Sequence, residues 1–179
     1  CRLVQPGLVA ELVSPSCLRI TRGEEVREVA INTTLPKGCA GVRSSIPVLQ
    51  AMYALAVQEL QADMTPDGLL LAGANWSTVW TRDIAYAAAL GTALAAPEAT
   101  RASLESRVRG GVVMQDTGTG GGWPVSTDRV SWALGAWALY EIEGDTRWLS
   151  WCVDVLKATL AQDAAVLPAS VAALTAPTS

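Results

Sequence analysis

The stretch Ser126-Thr127-Asp128-Arg129-Val130-Ser131-Trp132-Ala133-Leu134-Gly135-Ala136-Trp137-Ala138-Leu139-Tyr140-Glu141-Ile142-Glu143-Gly144-Asp145 decides the fold class of this chain. A hydroxyl side chain at Ser126 or Thr127 suits the start of a helix, where it accepts from unpaired backbone N–H groups, and Gly144 suits its end. Between them Val130, Leu134, Trp137 and Tyr140 recur at helical spacing. That spacing predicts a helix through Glu143 with those four residues as its buried stripe.

The same punctuation recurs on both sides. A helix is expected from about Thr146 to Ala161, and another from Pro97, placed as a first-turn proline with Glu98 behind it, to about Arg107, where Gly110-Gly111 closes it. Thr81 to about Ala95 reads as a helix. From Ile46, the residues Leu49, Tyr53, Val57 and Leu60 predict one more to about Ala62, followed by a turn at Thr65-Pro66-Asp67-Gly68. Connections this short make successive helices antiparallel hairpins. Residues 1–35 have a different texture, with apolar and polar residues alternating through Cys17–Thr21 and Val26–Ile31 around Gly23, as in paired strands. The expected organisation is a β-rich segment over 1–35, helical hairpins over 36–163, and an irregular Ala-rich, uncharged tail over 164–179.

Composition narrows the chemistry. With 179 residues, half hydrophobic and 17% charged, the chain suits one globular domain and excludes disorder. Its 13 Lys and Arg against 17 Asp and Glu leave a net charge of -4, so there is no cationic surplus to neutralise a nucleic-acid backbone. No run of 18 apolar residues is present to span a membrane, and no secretory leader is visible in the first residues, which leaves the compartment open. Histidine is absent, which removes the Ser-His-Asp triad, the Cys-His dyad and the HExxH zinc site. Cys1, Cys17, Cys39 and Cys152 are too widely spaced for a zinc or thioredoxin-like motif, and either free thiols or disulfides fit them. No metal and no cofactor is expected, and catalysis would run on carboxylates, hydroxyls or thiols.

Three stretches concentrate polar and aromatic residues where helices begin. In Asn75-Trp76-Ser77-Thr78-Val79-Trp80-Thr81-Arg82-Asp83, the indoles offer flat apolar faces and the Arg82-Asp83 pair can grip vicinal hydroxyls. A sugar ring, apolar on its faces and hydroxylated at its rim, matches that combination. The same residues also suit a capped helix with core tryptophans. Gln115-Asp116-Thr117-Gly118-Thr119-Gly120-Gly121-Gly122-Trp123 lacks the GK[ST] end of a phosphate loop, and its Asp-Thr-Gly precedes a long helix instead of lying in an all-β protease. It reads as a glycine-rich loop with Asp116 and Trp123 at its edges, either beside a ligand or as a plain long turn. The third stretch sets Asp128 beside Arg129 at a helix start. One intervening helix separates the starts at 81 and 126, so antiparallel packing returns both to the same end. Trp80, Arg82, Asp83, Asp116, Trp123, Asp128 and Arg129 are therefore the candidate substrate-binding residues around one cleft. The sequons at Asn32 and Asn75 read as accidental.

Val79-Trp80-Thr81-Arg82-Asp83 with an Ala-rich helix behind it resembles the glucoamylase-like six-hairpin glycosidases. The run from Pro97-Glu98-Ala99 through Gln115–Gly121 to Tyr140-Glu141, Gly144-Asp145 and Trp148-Leu149 is similar to bacterial six-hairpin enzymes related to processing α-glucosidases. The resemblance covers roughly residues 32–163 and implies a mainly α chain forming part of an (α/α)6 toroid, with the β-rich segment as the remnant of a preceding β domain. It also implies a glycoside hydrolase acting on an oligosaccharide or glycoside by inversion, one carboxylic acid protonating the leaving oxygen and another carboxylate activating water. By resemblance, Trp80, Arg82 and Asp83 grip the sugar. The acid and base of such enzymes lie on later hairpins, so this chain is expected to be partial and inactive alone, with a truncation or frame change behind its tail. An open arc of hairpins would also self-associate through its bare flanks. A non-catalytic carbohydrate-binding or structural hairpin domain is the alternative.

Overall fold

A computed structural model describes residues 1–116 and 127–175, backbone alone at 127 and from 166 onward. The chain divides into two compact units, Cys1–Met64 and Thr65–Ser179. In the first, strands β1 (Arg2–Gln5), β2 (Leu8–Ser14), β3 (Cys17–Arg22) and β4 (Glu25–Ala30) form an antiparallel meander in the order 1-2-3-4. Strand alternation sorts the two faces of this sheet. Leu3 pairs with Ala10 and Ala10 with Ile20, while Leu12 pairs with Leu18, which gathers these side chains on one face. Helix α1 (Pro47–Ala62) covers it through Val48, Ala51 and Ala54. On the other face Arg19 sits between its register partners Glu11 and Glu28, 2.6 Å from the Glu28 carboxylate.

Helix α1 runs close to its expected span, but its buried stripe is Val48, Ala51, Ala54 and Val57, whereas Ile46 and Leu49 are exposed. Small alanines let the helix axis approach the sheet, and that closeness outweighs the larger side chains one step round the helix. The helix also belongs to the unit of the sheet, where the sequence reading attached it to the hairpins of 36–163.

The second unit contains α2 (Thr81–Ala87), a π-helical segment at Ala88–Thr92 interrupted at Gly91, α3 (Ala93–Ala95) and α4 (Pro97–Ser106). The short hairpin β5 (Val108–Arg109) and β6 (Val112–Val113) follows, then α5 (Thr127–Glu143) and α6 (Thr146–Thr175). Gly110 and Gly111, expected to close a helix, form the two-residue turn of this hairpin, with φ of 58° and 78°. Positive φ at both central residues is the backbone of the turn that matches strand twist, and glycine adopts it without a Cβ penalty. The Asp145 carboxylate starts α6 by accepting from the backbone N–H groups of Arg147 and Trp148. These bonds, that of Trp148 first, together with the neighbouring Arg101, hold this carboxyl below the usual carboxylate range against a smaller opposing effect of desolvation.

The partial (α/α)6 toroid of antiparallel hairpins is not what these helices build, although the chain does have mainly helical secondary structure. In an arc of hairpins each helix meets its neighbours in sequence; here α2, the π segment, α3, α4 and α6 all pack on α5. The reason lies in the side of α5 that is buried: Trp132, Gly135, Ala136 and Leu139, while Val130, Leu134 and Trp137 of the expected stripe are exposed. Gly135 comes so close to α2 that a Cβ there would lie 2.9 Å from the Ala85 Cα and 3.0 Å from Leu104. Trp132 is fully buried and donates its indole N–H to the Leu104 carbonyl at 2.9 Å, tying α5 to α4. The expectation of self-association through the flanks of an open arc loses its premise with the arc. Helix α6 also continues through the segment read as an irregular tail, past Pro168, which contributes no backbone donor. No described helix is long and apolar enough to cross a membrane.

All four cysteines are free thiols. Burial in the α6 core pushes the Cys152 thiol up to about 12, so it is neutral and shielded, while Cys1 is exposed. In the folded protein, a thiol-specific reagent should label Cys1 promptly and Cys152 only after denaturant is added; fast labelling of Cys152 by mass spectrometry would contradict its packing. Gly135→Ala gains about 1 kcal/mol of helix propensity but forces α5 off α2, and overpacking against backbone costs up to about 3 kcal/mol. A net loss of about 1–2 kcal/mol is expected in urea unfolding. Gly91→Ala, whose added Cβ meets nothing within 4 Å, serves as the control that stays near wild type.

Candidate functional site

The site is built where the chain enters α2. Residues 73–76 make a tight turn, with the Trp76 N–H donating to the Gly73 carbonyl at 2.8 Å, and the turn holds the Trp76 indole out in solvent, 54% exposed. Trp80 is still extended, and its carbonyl accepts the first helical bond from Ile84. The two indoles meet edge to face, centroids 6.3 Å apart and planes at 87°. With Ala72, Arg82 and Asp83 they line a cavity of about 150 Å3. A void of roughly 150 Å3 takes one six-membered ring. The Trp80 indole N–H is buried and has no partner among the described residues. Such a donor carries the full cost of its lost hydration, on the order of 1–3 kcal/mol.

The start of α2 is fixed from a distance. Trp80, at the cap position, supplies no side-chain bond; Asp116 does so instead. Its carboxylate accepts from the Thr81 backbone N–H at 2.8 Å and from the Thr81 hydroxyl at 3.0 Å. Arg107 completes the group, donating to Asp116 at 2.5 Å and to the Thr81 hydroxyl at 3.2 Å. One turn of helix thus receives a buried carboxylate at its electropositive end, where the backbone N–H groups would otherwise be unpaired.

Among the described residues, neither Asp-Arg neighbour pair of the sequence bonds within itself. Arg82 reaches across to Asp128 at 2.8 Å instead of to its neighbour Asp83. Arg129 is buried and turns the other way, donating to the Val113 carbonyl at 2.7 Å and pairing with Asp163 and Gln162 of α6. Asp83 is exposed in the first turn of α2 and takes part in no hydrogen bond or ion pair among the described residues.

Of the sequence candidates, Trp80, Arg82 and Asp83 line one cavity and Asp128 joins them through Arg82. Asp116 and Arg129 serve the framework instead: each is buried and spends its polar atoms on other elements. Trp123 lies outside the described residues. Trp76, noted for its apolar face but not counted among the candidates, is a wall of the cavity. Arg107 and Asp163 were missed, and no local pattern marks either, because each finds its partner on another element. Among the described residues no group of three or more Cys, Asp or Glu side chains could hold a metal ion.

A larger cavity of about 350 Å3 lies in the sheet unit, lined largely by apolar residues such as Leu12, Leu35 and Val42, with Tyr53 in its wall. The Tyr53 hydroxyl donates to the Ala40 carbonyl at 2.5 Å, and desolvation, followed by the bond with the Cys39 thiol, pushes this phenol up to about 12. No charged side chain lines that cavity, which separates it chemically from the site on α2.

No protein-family model, curated protein or solved structure matches the chain. The resemblance to six-hairpin glycosidases therefore rests on the quoted motifs alone.

Removing one partner of a buried ion pair costs about 3–5 kcal/mol, because the other charge stays buried and unpaired. Asp116→Ala should accordingly destabilise the protein by about that amount in urea unfolding, whereas Asp83→Ala should change stability by less than about 0.5 kcal/mol. Equal losses would mean that Asp116 does not anchor α2.

Proposed function

We propose that the cavity at the start of α2 binds a single sugar ring of an oligosaccharide or glycoside. The observation that carries this reading is the perpendicular Trp76 and Trp80 pair beside a fixed guanidinium and an unpaired carboxylate. An indole face packs against the C–H face of a pyranose, Arg82 retains donors not used on Asp128, and Asp83 accepts from hydroxyls. Donors and acceptors side by side suit a polyol better than a purely apolar or purely anionic ligand.

Glycoside hydrolysis is the chemistry that the motif resemblance adds to this binding site. Inversion requires two carboxylates roughly 6.5–9.5 Å apart on opposite sides of the bond. Among the described residues Asp83 is the one carboxylate lining the cavity, since Asp128 meets it through Arg82. That observation favours, as a second reading, a site that binds sugar without cleaving it.

Titration with methyl glucosides and short gluco-oligosaccharides should give a saturable change in tryptophan fluorescence. Trp76→Ala, at an exposed position, should weaken it by about tenfold or more, equivalent to about 1.4 kcal/mol. No saturable response to any glycoside would refute the binding reading. Release of sugar from aryl glycosides, lost in Asp83→Asn, would replace the second reading with a hydrolase.

A further inference from the structure

We propose that the cavity on α2 prefers a sugar carrying a protonated amine over its neutral and anionic counterparts; this rests on the saccharide-binding reading above. The inference comes from the charges at the site. The charged residues lining the cavity are Arg82 and Asp83. The guanidinium of Arg82 is already matched by Asp128 at 2.8 Å, on a side chain that is largely buried, whereas Asp83 has no cation among the described residues. The segments 117–126 and 166–179 contain no Lys, Arg, Asp or Glu, so neither can supply a counter-charge. Of the two charges on the lining, the guanidinium therefore has a carboxylate partner and the carboxylate has no cationic one among the described residues.

The aromatic walls act in the same direction. A cation placed over an indole face is attracted by the ring quadrupole, and two indoles at 87° to one another line this cavity. Asp83, on the same lining, offers a carboxylate to an ammonium, and such a charge-assisted bond is roughly twice as strong as one from a neutral hydroxyl. A uronate or phosphorylated sugar would instead bring a like charge to Asp83, with Arg82 already paired. A neutral sugar gains the stacking and ordinary hydrogen bonds alone. At about 150 Å3 the cavity admits one ring, so the substituents of that ring are what the charges discriminate.

The test compares methyl glucosaminide, methyl N-acetylglucosaminide, methyl glucoside and methyl glucuronide by tryptophan fluorescence at about pH 6, below even the range of an α-amino group near 7.7–8.0, so that the free amine is protonated. The glucosaminide should bind about tenfold tighter than the glucoside, acetylation should remove that advantage, and the glucuronide should bind weakest. Asp83→Asn should bring the ratio of glucosaminide to glucoside affinity toward one, and added salt should reduce the ratio in the unmodified protein, with circular dichroism showing that the variant is folded. Glucuronide binding equal to or tighter than glucosaminide, or a ratio untouched by both Asp83→Asn and salt, would overturn the proposal while leaving sugar binding in place. Binding of ethanolammonium as tight as that of the glucosaminide, with no neutral glycoside bound, would instead overturn the saccharide reading and leave a simple ammonium cage.

Discussion

The contact of Gly135 with Ala85 is the constraint from which the second unit follows. With no side chain at 135, α5 lies against α2 closely enough that an added methyl would stand 2.9 Å from backbone. Dispersion falls off within an ångström of optimal separation, so two helices that touch along a small-residue seam gain contacts that no bulkier pair at greater distance replaces. The closeness also aligns the two helix starts: Ala85 opposite Gly135 brings Arg82 within reach of Asp128. The geometry of the cavity thus begins in a core contact that contains no polar atom.

Around that contact, Asp116, Asp128 and Arg129 are each held by a different element. Asp116, after β6, fixes the first turn of α2; Arg107, after α4, holds Asp116; Arg129 ties α5 to β6 and to α6. Buried charges are tolerated because every one has partners, and a loss anywhere leaves another charge exposed to a low dielectric. The consequence for the site is that Arg82 has a fixed direction without a rigid side chain of its own. Arg82 lines a cavity whose helix start is held by Asp116 and Arg107, neither of which lines it.

Helix positions were largely legible in the sequence, and the reasons are local. Pro47 and Pro97 stand at first-turn positions, Gly144 follows the last turn of α5, and Thr81 begins α2. The alternation in residues 17–31 likewise announced strands β3 and β4. The buried faces were not legible, because α1 and α5 set alanines and a glycine beside Val48, Val57, Trp132 and Leu139 in their buried faces, where larger apolar residues such as Leu49, Leu134 and Trp137 stay exposed. Close packing selects for smallness, a property that hydrophobic periodicity does not weigh. The stripe of Val130, Leu134 and Trp137 expected to be buried in the hairpin arrangement is exposed instead. At the site, Trp80, Arg82 and Asp83 could be found because they are adjacent in the chain. Their division into paired and unpaired charges could not, because Asp128 is 46 residues from Arg82.

That division is what separates the framework from the proposed binding site. Asp116, Asp128 and Asp83 all sit near helix starts, and by sequence each could have neutralised the nearest arginine. Asp116 has Arg107 and Thr81 as partners, and Asp128 has Arg82. Asp83 has no such partner among the described residues, and at an exposed position hydration makes an unpaired carboxylate inexpensive. A carboxylate buried with its partners must break bonds before it can bind anything; an exposed one beside two aromatic faces need only release water. Among the described residues Arg82 is bonded to Asp128 and its chain neighbour Asp83 makes no ion pair, and the proposed binding rests on that difference.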